Sequence, residues 1–556
     1  MVQFARPLDI TLLLSTCAAS ALAGQVQLPN ILLPPSAAVV QAEVKQIFID
    51  SYNAYRKFAF GHDDLLPVSA GFSDGRNGWG ASIVDAMPTM FIMGLDDFFN
   101  EALNYTSTID FSESQVDSET VRFFPFSVFE TTIRYVGGLL SAYELSGKQH
   151  QVFVDKAKQV ADKMAFAWRT HPNQTIPFGE IWFNNNSAVV DTSNIAEAGT
   201  LDIEWSRLTL YTGNKTYTDL TEGSVRSIAK LATPLPGLAP QGIDPSSNTF
   251  VGNYLPLTTE EDMGRGSDSY FEYLIKYARI TNSNDDLADT WHAAVDSSIQ
   301  NMARRSTVGN HLYISDWDDG ELIHVGSHLE CFHGGNWIFG GHLLNNQTII
   351  NYGLDLVDAC WNTYASTATG IGPEVFFFLA NDEFNGNGLP STPAQKQFYN
   401  EHGFWITASD YILRPEVLES NFYAFRSTGD EKYLERAASA VASLNKYLPQ
   451  KSGGFAGLND VDDPNGGFID DQESFWFAEV LKYLYLTFDD PEHISLNDYV
   501  FNTEGQPFQA PPAKSQYGSG KPATVDGKFV SKSGLPLPAI SPNPFLPTPL
   551  PTPTSA

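Results

Sequence analysis

Carboxylates recur in stretches of this chain that are otherwise apolar, aromatic and helical in period. They are Glu130 in SVFETTIRYVGG, Asp268 and Glu272 in SDSYFEYL, Glu416 and Glu419 in ILRPEVLES, and Glu473 and Glu479 in ESFWFAEVLKYLYL. Burying an unpaired carboxylate costs several kcal/mol or raises its pKa until it neutralises. A single Glu on an apolar helix is more often a paired structural ion or a helix cap than a catalyst. A series of them predicts a shared acidic pocket, suited to catalysis, to a hard cation, or to both. A purely structural helical scaffold would turn apolar residues inward instead. His328 in HLECF lacks the partner ligands that zinc requires, and is read as either a substrate contact or a satisfied buried ring.

The elements that must carry these acids repeat. An apolar helix, a turn of the form Ser/Thr-Gly-Asn/Asp-x-x-Tyr and a second helix occur as GGLLSAYELSGKQHQVFVDKAKQVADKM, IEWSRLTLYTGNKTYTDLTEGSVRSI and NFYAFRSTGDEKYLERAASAVASL. Looser copies are YFEYLIKYARITNSNDDLADTWHAAV and WIFGGHLLNNQTIINYGLDLVDACW. Gly147, Gly213 and Gly429 suit the left-handed position that ends a helix. Such hairpins bury a common face only against one another, and a closed ring of them leaves no open end. The expected fold is therefore all-α, a toroid of helical hairpins with loops and short hairpins lining a cavity at one end. An open helical array is the alternative, and it would need capping ends that are not evident.

The 556 residues are 42% hydrophobic and 13% aromatic, enough for one large core, and residues 24–510 are read as a single domain. A formal charge of -32 repels phosphate backbones and anionic headgroups, so nucleic acid and acidic membranes are not expected partners. Residues 1–23 carry Arg6, the apolar run Ile10 to Leu22 and Ala21-Leu22-Ala23, the pattern of a secretory signal, with a signal anchor as the alternative. Cys17 lies in that segment. Cys331 and Cys360 remain as an even pair in an oxidising compartment, which predicts one disulfide. Sequons at Asn104, Asn173, Asn185, Asn214 and Asn346 agree with the secretory pathway. Residues 511–556, rich in Pro, Ser, Thr and Gly, are read as a disordered tail, and the absence of a KDEL-like end favours secretion. A monomer is expected.

Taken in order, GWGASIVDAMPTMFIMGLDD, SVFETTIRYVGGLLSAYELSG, IAEAGTLDIEW, SDSYFEYL, HLECFHGG, TGIGPE, LRPEVLES, ESFWFAEVLKYLYL and YVFNTEGQPF resemble glycoside hydrolase family 47, the class I α-1,2-mannosidases that trim N-glycans. The resemblance implies an (α/α)7 barrel, a bound Ca2+ and inverting hydrolysis of oligomannose glycans on glycoproteins. By motif, Glu130 resembles the general acid, acting through a water, with Arg134 one turn on, and Asp268 is also placed beside the scissile bond. Glu416 is similar to the general base, and Thr503 to the Ca2+ ligand, through its carbonyl and hydroxyl oxygens. Glu197, Glu272, Glu374, Glu419, Glu479, Glu504, Arg414 and Asp85 match further pocket positions, and Phe475 one that stacks under the sugar. Phe332 and Trp476 are candidates for excluding water. Inversion needs an acid and a base on opposite faces of the sugar, and distant motifs such as those of Glu130 and Glu416 can supply them. Gly266, two residues before Asp268, leaves room for several glycan branches, and Gly179 stands where a serine is common. The rival within the family is a glycan-binding quality-control protein with little hydrolysis. Such relatives generally lack the cysteine pair, which favours the processing enzyme.

Overall fold

Two kinds of helix alternate along the chain, and burial separates them. The computed structural model describes residues 24–116, 125–170, 174–256, 268–380 and 389–520. Helix α1 (Ala37–Phe58) buries Val40, Val44, Ile47, Phe48 and Tyr55 along one face, whereas α2 (Ala81–Ile92) is buried around almost its whole circumference. A helix apolar all round must be surrounded by others. The amphipathic set continues with α3 (Asp96–Thr108), and the enclosed set with α4 (Val128–Thr131 and Gly137–Leu145, joined by the π-turn Thr132–Val136). Alternation then runs through α5 (Gln151–Met164), α6 (Asp202–Thr212), α7 (Thr216–Ala229), α8 (Asp268–Thr281) and α9 (Asp285–Asn301). It ends with α10 (Phe332–Leu343), α11 (Gln347–Ala365), α12 (Glu416–Thr428), α13 (Glu431–Tyr447) and α14 (Leu481–Thr487), the last preceded by the π-turn Trp476–Val480.

Each even-numbered helix packs on the next, and the π-turn ahead of α14 packs back on α2, so the inner ring closes. The odd-numbered helices form the outer layer, with α1 against α13 and α14. Among the described residues this is an (α/α)7 barrel, not an open array. Gly147, Gly213 and Gly429 take positive φ values of 70°, 72° and 68° at the ends of α4, α6 and α12, as their motifs predict.

Short antiparallel strands lead into the inner helices. Phe126–Ser127 runs into α4, Ser193–Asn194 into the turn of helix Ile195–Gly199 ahead of α6, and Val325–Ser327 into the segment before α10. Val325–Ser327 pairs with Val375–Phe377, which pairs in turn with Trp405–Ala408. The N-terminal ends of the inner helices thus share one end of the barrel with the loops. A hairpin of Tyr499–Phe501 and Pro507–Gln509 enters from the other end. Its strands lie against Ser141 and Glu144 near the end of α4, while its tip reaches Ile133, halfway up that helix.

Residues 511–520, assigned to the tail by composition, belong to the packed structure. Tyr517 is fully enclosed and its hydroxyl donates to Asn282 Oδ1 at 2.5 Å. Lys514 pairs with Asp285 at 2.7 Å. A few such anchoring contacts order a Pro-rich stretch, and a compositional reading averages them away. The segments 1–23 and 521–556 lie outside the described residues. Among those described, no helix is long and apolar enough to cross a membrane. Asn104, Asn185 and Asn214 are exposed, and Asn346 caps α11 by accepting from Thr348 N and Ile349 N. Asn173 is outside the described residues.

Cys331 and Cys360 are joined, with 29 residues of separation. In the chain-entropy model a loop of this size is worth about 3 to 4 kcal/mol. The double change to serine is expected to lower the midpoint of denaturant unfolding by an amount of that order, and activity with it. Mass spectrometry of unreduced peptides checks the bond; two free thiols in the purified protein would contradict it.

Candidate active site

The hairpin tip forms the floor of the cavity and is tied down from several sides. Asn502 Oδ1 accepts from Glu504 N at 3.0 Å and Gln506 N at 2.7 Å, and Asn502 Nδ2 donates to Glu204 Oε1 at 2.7 Å. Tyr273 OH donates to the same Glu204 oxygen at 2.6 Å and accepts from Thr503 N at 3.3 Å. Lys482 Nζ donates to Gly505 O at 2.6 Å, and burial lowers its pKa to about 7. Gly505 has φ 64°, and a Cβ there would lie 3.1 Å from Ala478 O. The turn therefore presents Thr503 in a fixed, half-buried place. Among the described residues, no hydrogen bond takes up its hydroxyl or carbonyl oxygen.

On one wall the π-turn of α4 carries Arg134. Its Nε donates to Glu130 Oε2 at 2.7 Å, and its Nη1 meets Glu504, lies 3.3 Å from Ser474 Oγ and 3.7 Å from Asp85 Oδ2. Its guanidinium lies 5.5 Å from the centre of the Phe475 ring. Burial pushes the Glu130 carboxyl up, but Arg134 and Arg76 outweigh it and hold the group below the usual glutamate range. Burial raises Asp85, against the pull of Arg134 and a 2.5 Å hydrogen bond from Ser474. It also raises Glu504 well above the usual range, with Arg134 opposing.

The facing wall carries Glu416 at the first turn of α12. Its Oε2 lies 2.7 Å from His328 Nδ1, and His328 Nε2 lies 2.9 Å from Tyr364 OH. Burial raises Glu416, but the hydrogen bond from His328, with Arg414, brings it below the ordinary value. Arg414 Nε bridges both oxygens of Glu374 at 2.6 and 2.7 Å. Leu413, before Arg414, takes a left-handed φ of 70° that a bulky residue disfavours, and its fully enclosed side chain keeps it there.

Between these walls Lys276 pairs with Glu272, and Tyr483 OH donates to Glu419 Oε1 at 3.2 Å. Burial pushes Glu419 up to about 8, with Lys276 opposing and Glu272 and Glu416 adding to the rise. Glu479 is raised well above the usual range by burial and then by Glu504, Glu419 and Glu416. Glu197 sits in the first turn of Ile195–Gly199, its carboxylate accepting from Ser193 Oγ at 3.3 Å. A Cβ on Gly179 would lie 2.2 Å from Glu197 Oε2, so in this chain the glutamate occupies the space a serine would claim.

Two expectations change, and a third falls outside the described residues. His328 is not a substrate contact: its side chain is 0% exposed and both ring nitrogens are engaged behind Glu416. Trp476 does not line the cavity, because its Nε1 donates to Ser51 Oγ on the outer helix α1 at 3.0 Å. Asp268 heads α8, but its side chain, like Arg265 and Gly266, lies outside the described residues. Sequence reasoning also missed three participants. Arg76 pairs with Asp64 at 2.8 Å and Glu473 at 2.5 Å and acts on Glu130. Ser474 bridges Asp85 and Arg134, and Tyr364 supports His328. Tyr364 stands one helical turn past Cys360, the one signal that could have marked it.

Among the described residues no three His, Cys, Asp or Glu side chains converge as a ready-made metal cage. The donor chemistry nevertheless fits a hard cation that takes few protein ligands. Thr503 offers two oxygens, and beside it burial, with neighbouring carboxylates adding to it, raises Glu419, Glu479 and Glu504.

Comparison with known proteins agrees with this arrangement. The family model for glycosyl hydrolase family 47 matches residues 47–510. A probable mannosyl-oligosaccharide alpha-1,2-mannosidase 1B of Aspergillus niger is 39% identical over 489 residues, covering 84% of this chain and 90% of that protein. Mannosyl-oligosaccharide alpha-1,2-mannosidase 1B of Emericella nidulans is 36% identical over 488 residues, covering 84% and 92%. Among solved structures, alpha-1,2-mannosidase from Trichoderma reesei is similar with a TM-score of 0.79 and 36% identity, covering 85% of this chain and 99% of that one.

Proposed function

Since this chain belongs to glycosyl hydrolase family 47, we propose that it removes terminal α-1,2-linked mannose from oligomannose N-glycans, with inversion and with a bound Ca2+. The observation that carries the proposal is the placement of Glu130 and Glu416. They sit in the first turns of α4 and α12, on walls three steps apart in the closed ring of inner helices, as far apart as seven members allow. An inverting hydrolase needs its two carboxyl groups on opposite faces of the sugar with room for a water, typically ~6.5 to 9.5 Å apart.

Glu416, held as the ion by His328 and Arg414, takes the proton from the attacking water as it adds to the anomeric carbon. The glycosidic bond breaks on the opposite face, and the leaving oxygen receives a proton. Arg134 and Arg76 keep Glu130 ionised, so Glu130 orients a water through which Asp268, in its acid form, passes that proton to the leaving oxygen. Asp268 at the head of α8 is the second group assigned there. Phe475 stacks under the sugar ring, Arg414 and Glu374 face it as one unit, and Glu197, Glu272, Glu419, Glu479 and Glu504 accept from its hydroxyls or order the waters. Thr503 would hold Ca2+, which, when bound, supplies an electrostatic anchor for sugar hydroxyls and water. Without a side chain at Gly266 the cavity admits several branches, which points to the broader trimming type. The signal-like segment and the exposed sequons support action as a secreted or luminal protein.

Proton NMR of the first product from a Man9 glycan is expected to show β-mannose before mutarotation. Initial α-mannose would rule out inversion.

A further inference from the structure

Granted Glu416 as the general base proposed above, we infer that Tyr364 is a positioning residue that sets the tautomer of His328, with the Cys331–Cys360 bridge holding the two side chains together. An ionised carboxylate only accepts hydrogen bonds, so at 2.7 Å His328 Nδ1 donates to Glu416. In a neutral imidazole the other nitrogen is then an acceptor. At 2.9 Å it meets the Tyr364 hydroxyl, which is fully enclosed and which burial keeps protonated. Tyr364 therefore donates, and the ring is fixed with its proton on Nδ1. Without that donor the Glu416 carboxylate alone holds the proton on Nδ1, and the Nε2–H tautomer, which sets a nitrogen lone pair against the carboxylate oxygens, becomes less costly to reach. An outer hydrogen bond of this kind commonly decides which nitrogen of a histidine is available.

The two partners come from separate elements, and the disulfide joins those elements beside the contact. Cys331 ends the 3-10 turn Leu329–Cys331 that follows His328, and Cys360 lies one helical turn before Tyr364 on α11, on the same face. The Trp361 ring stacks on Tyr364 at 5.5 Å between centroids and limits its movement. The Tyr411 hydroxyl, which donates to Arg414 O at 3.1 Å, also acts on the Tyr364 hydroxyl, and neither His328 nor Tyr364 reaches the cavity. Their effect on the reaction must pass through Glu416.

Tyr364→Phe is expected to lower kcat on Man9 glycan by about tenfold, the lower end of the ~10- to 100-fold seen for outer-shell partners, with KM within twofold. His328→Asn offers an amide N–H near the place of Nδ1 and has no tautomer to select. In that background Tyr364→Phe is expected to cost nothing further. Nitrogen-15 spectra of the imidazole rings give a second reading that does not depend on turnover. The signal lost in His328→Asn identifies the ring, which in the unsubstituted protein should be protonated on Nδ1 alone and should shift toward Nε2–H in Tyr364→Phe. An unchanged kcat, an equal loss in both backgrounds, or a ring protonated on Nε2 or on both nitrogens would overturn the inference. If Glu416→Gln kept its turnover, the base assignment would fall instead, and the imidazole spectra would still decide the tautomer.

Discussion

Glu416→Gln is expected to cut mannose release by about 10²- to 10⁴-fold, the usual loss when a general base is removed, while the melting temperature and glycan binding stay near those of the unsubstituted protein. The exchange is nearly isosteric. The new carboxamide oxygen can still accept from His328 Nδ1, and Arg414 keeps its bidentate bond to Glu374. What is lost is the negative charge that takes the water's proton. The same environment fixes a pH dependence. A base works only when deprotonated, so kcat/KM falls as pH drops through the pKa of Glu416 in the free enzyme. Because His328 and Arg414 hold that pKa below the ordinary glutamate value, the acid limb should lie below it too. Rates of the Glu416→Gln variant measured against a folded control decide the matter: turnover near the unsubstituted level would mean that another group activates the water.

Much of the barrel could be read from local rules. Gly147, Gly213 and Gly429 end helices because a residue without a Cβ enters the left-handed region at little cost, and the apolar spacing on either side marks the buried faces. The acids could be read as well, because a carboxylate in an apolar helix stands out, and most of them fall where inner helices begin. There the helix dipole favours negative charge, so one feature of the backbone places Glu130, Glu197 and Glu416 at the same end of the ring.

What could not be read is which side chains meet across the ring. Arg76 lies in a Gly-rich loop far in sequence from Glu130 and Glu473, and nothing local marks it as the second guanidinium of the acid side. His328 and Tyr364 meet because a bridge and a helix bring them together, and composition does not encode that contact. Trp476 shows the reverse error. Its motif neighbours face the cavity, but the π-turn Trp476–Val480 turns its indole outward to Ser51. The order of residues 511–520 rests on Tyr517 together with contacts to Arg279, Asn282, Asp285 and Asp289 that are remote in sequence. Local sequence records propensity and spacing, whereas these contacts depend on closure of the whole ring.

Removing Ca2+ should abolish turnover and lower stability together, and the reason lies in the charges around the hairpin tip. Glu419, Glu479 and Glu504 are each raised by burial, and Glu479 further by the charges of Glu504, Glu419 and Glu416. The cations Arg134, Lys276 and Lys482 are already committed to Glu130 and Glu504, to Glu272, and to the carbonyl of Gly505. A dication at Thr503 would relieve the remaining repulsion, and only the folded barrel assembles the place for it. A ligand that binds the native state alone stabilises it by mass action, by about 4 kcal/mol at a thousand times its dissociation constant. Chelated protein, with metal loss verified by elemental analysis, should therefore melt at a lower temperature and recover both its melting temperature and its rate when Ca2+ is returned. Asn502→Ala, which frees the tip from Glu204 and Ile133, should weaken calcium binding in a titration followed by melting temperature alone. Protein stripped of metal that melts and turns over as before would exclude Thr503 as the anchor and leave the hairpin a purely structural plug.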